Sequence, residues 1–211
     1  GYEIIIGNSD DNRDVEAGRI EALLAWEPAG IVVIPCTDEL PERLVRGDAP
    51  PCVLVDRIAN FDVADTVTIN NVGAGEQAAE YLASMGHRNV LLAASDMSIH
   101  PIRQRARGAQ KGVEKFGGSI RIVELGSDPE QGAKILGEWF EGNDAPTAIC
   151  ATTDMTTLSV LRFLADSRID LPAQMSVVGF DDYAWMSARR TKLTGIRQPV
   201  DRIADAVWAQ L

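Results

Sequence analysis

Short apolar runs alternate with amphipathic segments along most of the chain. The apolar runs are rich in β-branched residues and bounded by polar or turn residues, which is typical of buried strands. Between most of them, apolar residues recur at helical spacing, as at Leu158, Leu161 and Leu164. The pattern predicts strands over Glu3–Gly7, Gly30–Pro35, Cys52–Asp56, Thr66–Asn70, Asn89–Ala94, Ile120–Leu125, Thr147–Ala151, Ser176–Phe180 and Leu193–Ile196.

Strands that alternate with helices predict an α/β protein whose sheets are mostly parallel. In such sheets, ligands bind outside the carboxyl ends of the strands. The residues that follow the predicted strands are dense in acceptors and hydroxyl groups: Asn8-Ser9-Asp10, Cys36-Thr37-Asp38, Asp56-Arg57, Asn70-Asn71, Ser95-Asp96, Thr152-Thr153-Asp154 and Asp181-Asp182.

Each of these polar residues has two interpretations, because Ser, Thr, Asp and Asn are also the usual N-caps of helices. Asp154 precedes the helical pattern Met155–Leu164 and is predicted to be such a cap. Asp181 fits capping less well, since no clean helical pattern follows Tyr183-Ala184-Trp185. Asp181 is therefore the stronger candidate for a ligand contact.

Arg105 lies on an unexpected face of the predicted helix HPIRQRARGAQKGVEKFGG. A charged stripe at i, i+4 spacing is expected to face solvent: Arg103, Arg107, Lys111 and Lys115. Arg105 lies off that stripe, on a face with small and apolar residues: Ala109, Gly112 and Phe116. A buried arginine needs a carboxylate or a ligand oxygen, for which Asp181 and Asp56 are candidates. Snorkelling of its guanidinium to solvent is the alternative.

Charge and composition narrow the function classes. The formal net charge is −11 and the pI about 4.6, so this chain should repel nucleic acid, and another segment must bind any DNA. Two histidines and three cysteines without CxxC spacing disfavour a zinc site and a His-based triad. No apolar run approaches the roughly 20 residues that span a bilayer. The chain begins at Gly1 with neither methionine nor signal peptide, and we expect it to be a fragment.

A glycine pattern allows an enzyme hypothesis. Gly73-x-Gly75-x-x-Ala78 follows a predicted strand and opens a helix, and Asp96 ends the next strand. This satisfies the loose dinucleotide fingerprint of an NAD-dependent oxidoreductase. Against it, two asparagines and a valine separate the strand from the first glycine, and no proton donor is obvious. Small residues here favour close packing of the helix on the sheet instead.

Several stretches together resemble the effector-binding core of the lactose/galactose repressor (LacI/GalR) family. These stretches span essentially the whole chain in order: VLVDR (53–57), NNVGAGEQAAEYLASMGHRNV (70–90), RQRARGAQKG (103–112), PTAICATTD (146–154), LPAQMSVVGFDD (171–182) and LTGIRQP (193–199).

The resemblance implies two Rossmann-like α/β subdomains of periplasmic-binding-protein type I, with mostly parallel sheets and a ligand cleft between them. The subdomains would comprise residues 1–69 plus 199–211, and residues 70–198. The family's first strand and helix, its terminal strand and its DNA-binding head would lie outside this chain.

The resemblance also assigns residues to the effector site. Arg105 resembles the arginine that hydrogen-bonds the effector, and Asp181 the carboxylate that faces it across the cleft. Trp185 resembles an aromatic residue that can cover a sugar face. Further candidates are the crossover residues Asn70 and Gln198, with Thr153, where the family often has asparagine, and Asp56. Asp182 is expected to cap or orient its loop.

The function implied by the resemblance is sensing of a small-molecule effector, a sugar or sugar acid, by a cytoplasmic homodimeric regulator. It would bind operator DNA through an N-terminal helix-turn-helix outside this chain, and would be neither an enzyme nor dependent on a cofactor. A periplasmic sugar-binding protein of a transporter is the alternative, with the same cleft and no DNA. The NAD-dependent oxidoreductase is a third.

Overall fold

A computed structural model describes residues 2–37, 40, 42–45, 49–57, 64–188 and 191–211. Helices and strands alternate along these residues, as predicted. In chain order they are α1 (Arg13–Leu24), β1 (Ile31–Val33), α2 (Glu42–Val45), β2 (Cys52–Val55), β3 (Asp65–Val67), α3 (Asn71–Ser84), β4 (Asn89–Ala94), α4 (His100–Glu114), β5 (Ser119–Glu124), α5 (Pro129–Glu141), β6 (Ala148–Ala151), α6 (Asp154–Asp166), β7 (Ser176–Phe180), α7 (Ala184–Ser187), β8 (Thr194–Ile196) and α8 (Val200–Gln210).

The chain divides into two compact units. Unit 1 comprises Gly1–Ile69 and Pro199–Leu211, and unit 2 comprises Asn70–Gln198. The strands of unit 1 form a sheet in the order β1-β2-β3, and those of unit 2 a sheet in the order β5-β4-β6-β7-β8. All the strand pairs described are parallel, which confirms the predicted α/β class with parallel sheets.

The core of unit 1 lies between its sheet and the helices α1 and α2. Ile20 and Leu24 of α1 pack there with Val33 of β1 and Leu54 of β2. α1 begins where its N-cap Asn12 accepts hydrogen bonds from two backbone N–H groups of the first turn. The start of α1 is thus set by a local sequence signal.

The predicted strand Glu3–Gly7 is wrong, since residues 3–7 form no strand. Their isoleucines are exposed, Ile4 at 85% and Ile6 at 88%. A β-rich run becomes a strand only when a neighbouring strand completes its hydrogen bonds, and strand propensity alone does not supply that neighbour.

Unit 2 has three layers, with helices on both faces of its sheet. Successive residues of β4 point to opposite faces. Leu91 and Ala93 pack against α5 and α6, whereas Val90 and Leu92 pack against α3 and α4. β4 is buried on both faces, which is why it is a continuous apolar run in the sequence.

Helices α3 and α4 approach each other at glycines. A Cβ added to Gly75 of α3 would lie 1.9 Å from the carbonyl oxygen of Arg105, and one on Gly108 of α4 equally close to that of Val72. Gly75 therefore serves packing of α3 against α4, which corrects the expectation for this glycine, whereas Ala78 packs in the cluster that contains Val90 and Leu92 of the sheet.

Within the described residues, no helix has the length and apolar character needed to cross a membrane.

Candidate functional site

The parallel strands of unit 2 bring their carboxyl ends to one edge of the sheet, which we call the carboxyl edge. Polar residues follow directly after four of these strands. They are Ser95-Asp96 after β4, Thr152-Thr153 after β6, Asp181-Asp182 after β7 and Arg197-Gln198 after β8. Three of the seven polar stretches predicted from the sequence therefore lie together at this edge, whereas three others belong to unit 1.

Arg105 is buried at this edge, with 5% of its surface exposed. Its Nε donates to Asn71 Oδ1 at 2.8 Å, and its Nη1 to the carbonyl oxygen of Thr152 at 2.7 Å. One face of the guanidinium lies over the Phe180 ring, 3.8 Å from the ring centroid. Burial of Arg105 confirms the face on which the helical pattern placed it, and excludes snorkelling. Its contact with Thr152 places the guanidinium at the end of β6.

Asp181 adopts a left-handed backbone conformation, with φ at 68°. Its backbone N–H donates to Ile196 O at 2.8 Å, and its carboxylate accepts from Gln198 Nε2 at 2.6 Å. Asp181 does not cap α7, whose N-cap is Tyr183. The backbone turn and the Gln198 amide therefore hold the Asp181 carboxylate at the carboxyl edge.

Arg105 and Asp181 belong to the same unit. This corrects the expectation that Asp181 faces Arg105 across a cleft between subdomains. Asp181 directly follows Phe180, and the guanidinium of Arg105 lies over the Phe180 ring. Arg105 and Asp181 are therefore held within unit 2 alone.

Two of the predicted effector contacts serve as helix caps. Asn70 Oδ1 accepts from the backbone N–H of Gly73 at 2.9 Å and caps α3. Thr153 Oγ1 accepts from the backbone N–H of Thr156 at 3.1 Å, as part of a capping box that begins α6. The predicted cap at Asp154 is therefore wrong by one residue, because Asp154 is the first residue of α6. A contact of Asn70 or Thr153 with a ligand stays a prediction.

The outer part of the carboxyl edge is acidic. The negative charge of Asp154 is the largest cause of a raised pKa of the Tyr183 phenol. Burial and then the charge of Asp181 raise that pKa further. Asp182 is exposed and pairs with Arg197, whose Nε lies 3.5 Å from its carboxylate. Trp185 is half-buried on α7. The edge thus combines one buried cation with several carboxylates, which suits contacts to hydroxyl groups.

In unit 1, Asp56 directly follows the carboxyl end of β2 and has a φ of 64°. Its backbone N–H donates to Val67 O at 2.9 Å, and its carbonyl accepts from Thr68 Oγ1 at 3.2 Å. Beside it, Arg57 Nη1 donates to Cys36 O at 3.0 Å and lies 2.8 Å from Asp11 Oδ1. A role of Asp56 in ligand binding stays a prediction.

Sequence reasoning did not single out Asn71 and buried Glu16. Glu16 Oε2 accepts from the backbone N–H of Cys36 at 2.7 Å, so it orders the loop after β1. Within α1, Glu16 looks like any polar position, and Asn71 looks like a second capping residue beside Asn70. Only their buried tertiary neighbours distinguish them.

The spacing of the dinucleotide fingerprint has a structural explanation. Gly73 lies against the Asn70 side chain that caps α3, and Gly75 lies against the backbone of Arg105. In a dinucleotide site, the second glycine lets the backbone approach a pyrophosphate. Here the backbone of α4 lies against Gly75, where a pyrophosphate would have to lie.

Among the described residues, no group of three or more His, Cys, Asp or Glu side chains could hold a metal ion.

Comparison with known proteins gives the family. The periplasmic binding protein-like domain matches residues 79–211, more than half of the chain. The chain belongs to this family. Catabolite control protein A of Priestia megaterium is 28% identical over 94% of this chain and 61% of its own length. The HTH-type transcriptional repressor PurR of Yersinia enterocolitica is 26% identical over 100% of this chain and 64% of its own length.

Solved structures share the fold of this periplasmic-binding-protein-like chain. A probable LacI family transcriptional regulator from Corynebacterium glutamicum superimposes with a TM-score of 0.92 at 22% identity, over 100% of this chain and 82% of that one. The Cra transcriptional dual regulator of Pseudomonas putida, in complex with fructose 1-phosphate, gives 0.85 at 19% identity, over 99% and 78%. The predicted resemblance to the core of LacI/GalR regulators is confirmed. The chain spans about three fifths of the length of the curated relatives it matches.

Proposed function

We propose that this chain is the effector-sensing core of a DNA-binding transcriptional regulator, and that a sugar or sugar derivative binds at the carboxyl edge of unit 2. The observation that carries the proposal is buried Arg105, whose guanidinium is held at the end of β6 and beside Phe180. A cation fixed at strand ends is suited to donate charge-assisted hydrogen bonds to a ligand oxygen.

The proposed contacts come from side chains of complementary chemistry. Arg105 donates, the Asp181 carboxylate accepts, and Gln198 orients that carboxylate at 2.6 Å. Half-buried Trp185 offers an aromatic face for the C–H surface of a sugar ring. Asn70 and Thr153 are further proposed contacts. A polyhydroxylated ligand satisfies donors, acceptors and an aromatic face at once.

The names of the relatives support a regulator over a transport protein. Catabolite control protein A and the repressor PurR are regulators by name, and the structural neighbour Cra is a regulator solved with a sugar phosphate. The glycine pattern no longer supports an oxidoreductase, because Gly73 lies against the Asn70 side chain that caps α3 and Gly75 lies against the backbone of α4.

Operator DNA would be bound by an N-terminal helix-turn-helix outside these 211 residues, since a net charge of −11 is unfavourable for contacts to phosphate. The regulator would act as a homodimer in the cytoplasm. A mobility-shift assay of the intact protein with DNA from its own upstream region tests the DNA-binding part. Retarded DNA whose band responds to a sugar supports the proposal. No retardation with or without sugar would favour the transport alternative.

The ligand class is tested by a thermal-shift screen of the intact protein. The panel contains D-ribose, D-fructose, D-galactose, D-gluconate, fructose 1-phosphate, adenine and NAD. A ligand that binds only the folded state stabilises it, by about 2.7 kcal/mol at a hundredfold excess over Kd. We expect stabilisation by one or more of the sugars. Stabilisation confined to NAD would overturn the proposal in favour of an enzyme.

A further inference from the structure

Asn71 is a buried polar residue with a specific partner. It is the first residue of α3, it is 1% exposed, and its Oδ1 accepts from Arg105 Nε at 2.8 Å. Its neighbour Asn70 already caps the helix. Asn70 supplies that cap, and the Asn71 Oδ1 contacts the arginine of the candidate site.

The Asn71 contact completes a set that defines the orientation of the guanidinium. The Phe180 ring, whose centroid lies 3.8 Å from the guanidinium carbon, limits movement of the group on that side. Hydrogen bonds from Nε to Asn71 and from Nη1 to Thr152 limit its rotation. An arginine side chain has many rotamers. All but one must be disfavoured if the guanidinium N–H groups are to bind a ligand in one defined geometry.

The backbones that carry the two residues are also held together. Gly75, one turn after Asn71, lies against the carbonyl of Arg105 itself, and Gly108 lies against that of Val72. No side chain intervenes at either crossing, so the distance between α3 and α4 is set by backbone contact. These backbone contacts on both helices hold Asn71 Oδ1 within hydrogen-bond distance of Arg105 Nε.

We propose that Asn71 is a positioning residue, which acts on ligand binding only by holding the Arg105 guanidinium in its binding orientation. This role rests on the proposed function, because the oriented edge of Arg105 would meet the sugar. Asn71 itself would not touch the sugar. Its effect on affinity must therefore pass through Arg105.

The test uses two substitutions of the same size. Asn71→Asp keeps the acceptor oxygen, and Asn71→Leu removes it. Each is made in the intact wild-type protein and in the Arg105→Lys background, where residue 105 has no Nε–H to donate. Gln110→Leu, on the exposed face of α4 where Gln110 contacts Glu114, is the matched control. Asn71→Ala replaces Asn71→Leu if the leucine variant does not fold.

Two measurements are made on each variant. The first is calorimetric affinity for D-ribose, D-fructose, D-galactose and D-gluconate. The second is solvent exchange of the Arg105 Nε–H by ¹H–¹⁵N NMR, which needs no ligand. We expect Asn71→Leu to weaken sugar affinity roughly tenfold and to speed Nε–H exchange. Asn71→Asp should restore both, and Gln110→Leu should change neither. In the Arg105→Lys background, Asn71→Leu should have no further effect on affinity.

The positioning role is overturned if the Arg105 Nε–H stays protected in Asn71→Leu. It is also overturned if that substitution weakens sugar binding as much in the Arg105→Lys background as in the wild type, which would indicate a general structural effect. If none of the four sugars binds the wild-type protein, the proposed sugar ligand fails, and the Nε–H exchange comparison still decides whether Asn71 orients Arg105.

Discussion

The guanidinium carbon of Arg105 lies 3.8 Å from the centroid of the Phe180 ring, within the buried part of unit 2. A cation over an aromatic face is attracted by the ring quadrupole, by about 2 kcal/mol where both groups are desolvated. The ring also fills the volume below the guanidinium. Phe180 therefore supports both the stability of unit 2 and the geometry of the candidate site.

Replacement of Phe180 by leucine should lower the free energy of unfolding by about 1–3 kcal/mol, since it removes ring contacts and leaves part of the ring volume empty. Urea melts measure this loss. Phe116→Leu is the matched control, because Phe116 is 38% exposed and its ring lies 5.7 Å from Arg88. If Phe116→Leu lowers the free energy of unfolding as much as Phe180→Leu does, burial and the close cation contact do not account for the stabilising effect of Phe180.

The glycine contact between α3 and α4 makes a second prediction. In Gly75→Ala the new Cβ would lie 1.9 Å from the Arg105 carbonyl oxygen, so the helices must separate. We expect a loss of at least about 3 kcal/mol in urea melts, at the upper end of overpacking effects. Gly137→Ala in α5 is the control, because nothing lies within 4 Å of its added Cβ. There alanine should stabilise the helix by about 0.5–1 kcal/mol. Equal effects of the two substitutions would contradict this packing.

Thr153 is predicted to stabilise α6 through its side-chain oxygen. Thr153→Ala removes the acceptor of the Thr156 N–H and should lower the free energy of unfolding by about 1 kcal/mol. Thr153→Ser keeps the oxygen and should retain most of that stability. The comparison is made by urea melts, and a serine variant as unstable as the alanine variant would rule out the capping box as the cause.

His87 should make unit 2 less stable as the pH falls. Burial lowers the pKa of His87 below its usual 6.5, and its Nδ1 lies 2.8 Å from Thr147 Oγ1. The unfolded chain therefore binds a proton at a pH where the folded protein does not. The stability contribution is complete above the unfolded value of 6.5 and is lost as the pH falls below it, down through the lowered folded pKa.

The measurement is the free energy of unfolding of wild type and His87→Gln between about pH 7.5 and about pH 5. We expect the wild type to lose more stability over this range than the variant, since glutamine does not titrate. Parallel curves would show that His87 does not titrate differently in the folded and unfolded states.

Local sequence signals predicted the fold best where a segment is buried on both sides. The bounds of β4 and β7 match the predicted runs, because a strand covered on both faces is apolar throughout. Residues 3–7 have the same apolar character and form no strand, because the run does not reveal whether a neighbouring strand exists. The cap of α6 was missed by one residue, since Thr153 and Asp154 are both capable of capping.

The candidate site was predictable only where the sequence carries a local conflict. Arg105 stood out because a cation interrupts an apolar helix face, and its burial confirms the inference. Asn71 carries no such conflict, because asparagine is ordinary at a helix start. Its importance arises from the approach of α3 to α4, which brings together residues 34 positions apart in the chain. Such pairs are specified by tertiary packing.

The central claim is that Arg105 and Asp181 are ligand contacts at the carboxyl edge of unit 2. It is tested most directly by calorimetry of Arg105→Ala and Asp181→Asn with the sugars that stabilise the wild-type protein, alongside urea melts of the same proteins. Charge-assisted hydrogen bonds contribute about 1.5–3 kcal/mol each, so either substitution should weaken sugar affinity at least about tenfold. Wild-type sugar affinity in both variants, together with a loss of several kcal/mol of stability, would contradict the account and make the two residues structural.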